Sequence, residues 1–99
     1  MIVYNVTVKV NTEVHDEWFT WMKETHIPEV MKTGLFSDKN MLKVLVDEAD
    51  GITYSIQYKT TSWENLEEYQ TKHAPALQKV HTDKYQGKFV AFRTLLEEV

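Results

Sequence analysis

Two histidines of this chain occupy matching positions, each two residues before a proline. His26 precedes Pro28, and His73 precedes Pro75. Because proline disfavours a helical conformation in the residue before it, the pattern predicts a helix that breaks near each histidine. An imidazole at such a break can hold a backbone carbonyl with one ring nitrogen and bind a ligand or transfer a proton with the other. The alternative is a structural cap, since the helix dipole stabilises a histidine near a C-terminus.

A metal or cofactor site has little support in the sequence. His26 and Glu29 have the spacing of two ligands on one helical turn, but Pro28 lies between them and no third ligand is apparent. The chain has no cysteine, and its three glycines are too far apart to build a phosphate-binding loop. We therefore expect no metal and no cofactor. His81 lies in a polar stretch, and we expect it to be solvated.

A second group of candidate residues comes from the strands. Asn5, Tyr54 and Gln57 can donate or accept hydrogen bonds to a small polar ligand, with Arg93 as its counter-charge. Arg93 lies in an apolar strand, where an unpaired charge is costly. It either reaches the rim of the sheet, pairs with an acidic side chain or points into a cavity as an anion clamp.

The strands and helices that position these residues are predicted from the spacing of apolar side chains, which has a period of two residues in strands and of about 3.6 in helices. Residues 2–10 and 51–60 alternate apolar and polar side chains, as half-buried strands do, and residues 35–47 and 88–96 give two further strands. Residues 13–25 and 63–84 carry apolar side chains at helical spacing. The strand stretches 4–9 and 54–59 also resemble each other, which indicates an internal duplication.

This order predicts an α+β fold, the ferredoxin-like βαββαβ plait. It has a four-stranded antiparallel sheet, with the first and third strands at its centre and two helices on one face. We expect residues 1–99 to form a single domain. Each helix runs antiparallel to the strand before it, so His26 and His73 should lie at opposite ends of one subunit. A shared two-histidine site would then require dimerisation.

One face of the central strand pair is polar, and it carries Asn5, Thr7, Thr53, Ser55 and Gln57. Such a face can simply be wet, or a second subunit can pack its sheet against it and enclose a polar pocket. We favour the second interpretation because the outer strands are apolar on both faces, which is more than one helical layer can hide. The expectation is a homodimer of the dimeric α+β barrel type, with a small-molecule ligand between the sheets.

The overall composition excludes several kinds of partner. A net charge of −4 and a pI near 5.5 argue against nucleic-acid binding. RNA-binding plaits also need aromatic side chains on the open face of the central strands, where this chain has small polar ones. No apolar run approaches the roughly 20 residues that cross a membrane. The first strand begins at Ile2 and leaves no room for a signal peptide, so we expect a cytoplasmic protein.

Six blocks of the sequence resemble a bacterial domain-of-unknown-function family of about this length. They are MIVYNVTV (1–8), WFTWMK (18–23), HIPEVMKTGLF (26–36), TYSIQY (53–58), HAP (73–75) and FVAFRTLL (89–96). The family's shape is similar to the dimeric α+β barrel superfamily, which includes antibiotic-biosynthesis-type monooxygenases, muconolactone isomerases and haem-degrading enzymes. Those groups share a plait and a dimer-lined pocket, but not one set of catalytic residues.

Two functions follow as hypotheses. The first is a homodimeric small-molecule-binding domain or cofactor-independent enzyme, of the monooxygenase or isomerase type, with a polar pocket between the sheets. The alternative is a non-catalytic structural or interaction protein whose polar sheet face is only a dimer interface.

Overall fold

The computed structural model describes all 99 residues. Its strands are β1 (Ile2–Asn11), β2 (Asp38–Lys43), β3 (Gly51–Thr60) and β4 (Phe89–Glu97). A 3₁₀ turn, Thr12–Val14, leads into the first helix, and each helix has three consecutive segments. Helix α1 consists of His15–Trp21, a π-helical turn Met22–His26, and Ile27–Lys32; helix α2 consists of Trp63–Glu68, a π-helical turn Tyr69–His73, and Ala74–Lys84. Neither helix has the length and apolar character needed to cross a membrane.

The four strands form one antiparallel sheet in the order β2-β3-β1-β4. The predicted ferredoxin-like α+β plait is confirmed, with the first and third strands at its centre. In the register, Tyr4 lies opposite Tyr58 and Asn5 lies opposite Gln57. Because directly paired residues point to the same side, this register sorts the side chains into a helix-facing side and an open side.

The core lies between the helix-facing side of the sheet and the two helices. Its most deeply buried side chains include Trp18 of α1, Leu66 of α2, and Val8 and Ile56 of the central strands. Full burial of one such side chain contributes about 1.5–3 kcal/mol. This apolar layer therefore fixes the helices over the central strands.

The two prolines do not break the helices, contrary to the prediction. In the π turns the backbone N–H reaches five residues back: Ile27 donates to the carbonyl of Met22, and Ala74 donates to that of Tyr69. A π turn holds one residue more than an α-helical turn, so it rotates the following segment by about 100° relative to an unbroken pattern. The helices thus continue past Pro28 and Pro75 with a shifted buried face.

Strand β2 is shorter than the predicted 35–47. After Lys43, the N–H of Val44 still donates to the Thr53 carbonyl at 2.9 Å, but the N–H of Val46 turns back to the carbonyl of Val44. This local turn takes the chain out of the sheet, and the side chain of Leu45 is 89% exposed. The apolar residues 44–46 therefore belong to the loop before β3.

Candidate functional site

A small cavity lies between the helix layer and the sheet, and we call it the helix-side cavity. Its volume is about 30 Å³, which is room for about two water molecules. Its apolar wall includes Val6, Val8, Met22, Val30, Ile56 and Leu77, and its polar lining consists of Tyr4, Tyr58, Tyr69, His26, His81, Gln78 and Arg93. Polar groups from both helices and three strands thus converge on one buried space.

The strand register explains how Arg93 reaches this cavity. Arg93 of β4 lies opposite Val6 of β1, and Val6 lies opposite Ile56 of β3. All three therefore point to the helix-facing side. Arg93 is on an edge strand and is exposed, so its guanidinium lies at the rim of the cavity, and it forms no ion pair with any carboxylate.

His26 reaches the cavity from the π turn of α1. Its ring stacks on Trp21 with 4.8 Å between ring centroids, and it lies 5.5 Å from the ring of His81. Burial, and then the positive charge of Arg93, lower the pKa of His26 to about 4, against a smaller opposing effect of Glu29. At neutral pH the imidazole is therefore uncharged and able to accept a proton.

His81 is buried, and the expectation that it is solvated is wrong. It is 4% exposed, its ring stacks on Phe89 at 4.1 Å, and its Nε2 accepts a hydrogen bond of 2.9 Å from the indole N–H of Trp18. Because Nε2 accepts, the ring is neutral with its proton on Nδ1. Burial, then the neighbouring His26 and Arg93, lowers the pKa of His81 to about 4. The π turn places this residue on the buried face, where an unbroken helical pattern would place Val80.

Three tyrosines bring their hydroxyl groups to the cavity. Tyr4 and Tyr58 come from the central strands and Tyr69 from the π turn of α2, and all three side chains are buried. The hydroxyls of Tyr54 and Tyr85 form hydrogen bonds, but those of Tyr4, Tyr58 and Tyr69 form none. No polar atom that is fully shielded from solvent lacks a partner, so these three hydroxyls each keep some accessible surface. Burial raises the pKa of Tyr58 and Tyr69 well above the usual value, so both remain hydrogen-bond donors.

Tyr54 does not line the cavity. Its hydroxyl is hydrogen-bonded to Nε2 of His15 at 2.7 Å, and Nδ1 of His15 bonds the carboxylate of Asp16 at 2.8 Å. Burial, and then the Asp16 charge, raises the pKa of Tyr54. The hydroxyl of Tyr54 therefore already has a hydrogen-bond partner at the N-terminal end of α1.

Asn5 and Gln57 lie on the open side of the sheet. Asn5 donates to the Thr7 hydroxyl at 3.0 Å and accepts from the Ser55 hydroxyl, which itself accepts from Gln57 at 3.3 Å. These side chains thus form a connected hydrogen-bond network on the open side. The four residues predicted to bind one ligand are thus divided: Asn5 and Gln57 are on the open side, whereas Tyr54 and Arg93 are on the helix-facing side, because strand residues alternate between the two sides.

His73 lies outside the helix-side cavity. It borders a surface groove between the helices together with Glu29, Lys72 and Thr33, and its ring stacks on Tyr69 at 6.4 Å. The ring of His26 lies 5.5 Å from that of His81, whereas His73 lines a different space, so the two histidines of the repeated motif do not share one cavity. No cluster of three or more histidine, cysteine or acidic side chains is arranged to hold a metal ion.

The open side of the sheet has apolar borders around its polar centre. Leu42 of β2 lies on one border, and Val90, Phe92 and Leu96 of β4 lie on the other, all of them exposed. Phe92 is 63% exposed. An apolar surface of this kind is typical of an interaction site.

Solved structures with the same fold are numerous, and the following three are distant from this chain in sequence. An EthD family protein from Bacillus halodurans is 15% identical, with 100% of each chain covered and a TM-score of 0.67. A dimeric ferredoxin-like protein from an uncultured marine organism is 12% identical over 100% of this chain and 95% of that one, with a TM-score of 0.65. The cofactor-independent oxygenase SnoaB from Streptomyces nogalater is 11% identical over 98% and 92%, with a TM-score of 0.64. At these identities the likeness shows the fold.

One protein-family model matches the whole chain, residues 1–99. Its description is domain of unknown function, DUF4286. No functionally curated protein matches the sequence.

Proposed function

This chain belongs to the DUF4286 family of domains of unknown function, and we propose that it is a homodimeric protein that binds a small organic molecule in the helix-side cavity and transfers a proton on it without a cofactor. The observation that carries the proposal is the pairing of an uncharged His26 with three unpartnered tyrosine hydroxyls around one buried cavity. A base beside preorganised hydrogen-bond donors is the arrangement that proton abstraction requires.

In this mechanism His26 removes a proton from a C–H or O–H group of the bound molecule. Negative charge then develops on an oxygen of the substrate, and the hydroxyls of Tyr4, Tyr58 and Tyr69 stabilise it by hydrogen bonds. An imidazole with a pKa of about 4 is a weak base in the free protein. The developing negative charge raises the pKa of His26 during the reaction and favours the transfer.

The cavity holds about two water molecules, so a larger substrate has to widen it. Gln78 is half-buried and Arg93 is exposed at the rim, and both are long, flexible side chains. We place the entrance between them. The rest of the lining is held by the core and does not need to move.

The second copy in the proposed dimer covers the open side of the sheet. Asn5, Ser55 and Gln57 hydrogen-bond to one another there. The exposed apolar residues at the borders of this side supply the surface to bury, and they are Leu42, Val90, Phe92 and Leu96. A structure of the same fold that is described as dimeric, with a TM-score of 0.65, supports a dimer. The open side then serves assembly, and the ligand binds on the opposite side of the sheet.

We further propose that the protein acts in the cytoplasm as a single domain of residues 1–99. Its net charge of −4 favours a small molecule over nucleic acid as the partner.

Deuterium exchange tests the proposal without knowledge of the natural substrate. Small β-dicarbonyl compounds such as acetylacetone are incubated with the protein in D₂O, and ¹H NMR follows the loss of their acidic C–H signal. We expect exchange faster than in buffer, reduced at least tenfold in His26→Gln and in Tyr69→Phe, because one variant removes the base and the other removes an oxyanion donor. Gln57→Ala, which alters only the open side, serves as the matched control.

Two results would contradict the proposal. A Gln57→Ala variant that abolishes exchange while His26→Gln does not would place the site between the sheets of the dimer. An absence of binding and exchange for every compound would favour the structural or interaction protein whose open side is only an interface.

A further inference from the structure

We propose that the helix-side cavity selects a planar monoanionic oxygen group, the carboxylate of a small organic acid, and that Arg93 is the residue that recognises its charge. This inference deepens the proposed function and rests on it, because it names the class of molecule that the same cavity takes. It follows from the charges, the hydrogen-bond donors and the size of the cavity.

The charge of the lining is unusual for this chain. The protein has fifteen acidic residues and a net charge of −4, yet no aspartate or glutamate lines the cavity. Arg93 is the only arginine of the sequence and forms no ion pair, whereas five lysines do: Lys9, Lys59, Lys79, Lys84 and Lys88. An unpaired guanidinium at the rim of an acid-free cavity attracts an anion, and its planar fork fits a carboxylate.

The donors in the cavity match an acceptor-only group. The hydroxyls of Tyr4, Tyr58 and Tyr69 form no hydrogen bond within the protein, unlike those of Tyr54 and Tyr85, and the side chain of Gln78 also lines the space. A carboxylate has two oxygens with about four acceptor positions and no donor of its own. The hydrogen bonds available can therefore replace the water that a carboxylate loses on entry.

The net charge of the cavity lining and the apolar side chains in its wall narrow the class of ligand further. Both histidines of the lining are uncharged at neutral pH, so Arg93 balances one negative charge and not two. A volume of about 30 Å³ accommodates a group of carboxylate size. The surrounding Val6, Val30 and Leu77 are apolar, which favours an organic acid over an inorganic anion.

An NMR titration tests this inference with three probes of similar size. Sodium acetate, neutral acetamide and sodium nitrate are added at pH 7.5 and constant ionic strength, and the ring signals of the lining tyrosines and histidines report occupancy. We expect saturable shifts with acetate, weaker binding of nitrate and none with acetamide. Arg93→Gln should raise the acetate dissociation constant at least tenfold, because it removes a charge-assisted pair.

The control variant is Lys43→Gln, which removes one positive charge from the opposite edge of the sheet, where Lys43 forms no ion pair. It should change the dissociation constant less than twofold. Both substitutions replace exposed side chains, and the dispersion of the amide spectrum confirms that each variant is folded.

Equal binding of acetate and acetamide, or equal losses in Arg93→Gln and Lys43→Gln, would overturn the role of Arg93. Tighter binding of nitrate than of acetate would overturn the inference that the ligand is an organic acid. If the β-dicarbonyl compounds undergo exchange but acetate does not bind, this inference alone fails. If no probe of either experiment reaches the cavity, the proposed function fails with it.

Discussion

At the scale of single residues, the hydrogen bond from Trp18 determines which nitrogen of His81 carries the proton. Nε2 accepts from the indole, so Nδ1 is the protonated nitrogen and the ring is neutral. His26, 5.5 Å away, is uncharged as well. Both imidazoles remain neutral chiefly because burial disfavours their charged forms, and because the guanidinium of Arg93 repels a further positive charge.

We expect the free energy of unfolding to fall as the pH is lowered from about 6.5 toward 4. The folded-state pKa of His26 and His81 is about 4, below the ordinary value of 6.5. In this window the unfolded chain binds protons that the folded chain excludes, so stability is complete above pH 6.5 and is lost on acidification. Each unit of difference between the folded-state and unfolded-state pKa of a buried histidine changes the free energy of unfolding by about 1.4 kcal/mol. Urea unfolding between pH 7.5 and 5 measures this slope.

His81→Gln provides the control for the pH experiment. Glutamine still accepts the Trp18 hydrogen bond but does not titrate, so the slope between pH 6.5 and 5 should fall by about half. A free energy of unfolding that is constant over this range in the original protein would contradict the neutral pair.

At the scale of the elements, the π turns decide which side chains face the core. Val80 is 54% exposed and His81 is 4% exposed, the reverse of what a continuous α-helical pattern from Leu66 would give. The two turns occupy equivalent places, Met22–His26 and Tyr69–His73, each directly before a proline segment. The duplication seen in the sequence thus extends to the irregularity of both helices.

Substitutions at these adjacent positions should have unequal effects. His81→Leu leaves the buried indole N–H of Trp18 without an acceptor, and we expect it to lower the free energy of unfolding by about 1–3 kcal/mol. Val80→Ala alters an exposed side chain and should change it by less than about 0.5 kcal/mol. Urea unfolding at pH 7.5 measures both. A larger loss in Val80→Ala would mean that α2 continues without the π turn.

The elements that the sequence predicts best are the strands with strict alternation. The two-residue period of residues 2–10 and 51–60 identifies β1 and β3. It also identifies their buried faces, because side chains alternate strictly between the two sides of a strand and only one set is apolar. The helical segments were also found, but their buried faces beyond each π turn were not, since the period of 3.6 cannot reveal one inserted residue. The end of β2 was missed because residues 44–46 are apolar and leave the sheet through a local turn.

The candidate site was predictable only in part for a related reason. His26 and Arg93 stand out in the sequence as polar residues in apolar surroundings, and both line the cavity. Tyr4, Tyr58 and Tyr69 look like ordinary core residues, because only the structure shows that their hydroxyls lack partners. Asn5 and Gln57 both hydrogen-bond with Ser55 on the open side, and their role as the wall of a pocket between two sheets stays a prediction.

At the scale of the whole molecule, the proposed function assigns a different task to each face of the sheet. We expect a homodimer through the open side, and Phe92→Glu should shift it to a monomer at micromolar concentration, because it places a charge in the apolar border. Sedimentation equilibrium gives the mass directly. Trp63→Glu is the matched control, since Trp63 is 62% exposed, against 63% for Phe92, but belongs to α2.

Two outcomes would contradict this assembly. If the protein without substitutions is a monomer at micromolar concentration, the proposed dimer is wrong. Equal dissociation by Phe92→Glu and Trp63→Glu would show that the contact involves the helices as much as the open side.

Strand β4 connects the two tasks because its neighbouring residues serve different faces: Phe92 borders the open side and Arg93 borders the cavity. An insertion or deletion of one residue inside Phe89–Glu97 would exchange the two sets of side chains, and both surfaces would change at once. We therefore expect the length of this strand to be constrained twice over during evolution. Changes of length should concentrate in the loop 44–50, where an added residue changes neither the pairing of β4 with β1 nor that of β2 with β3.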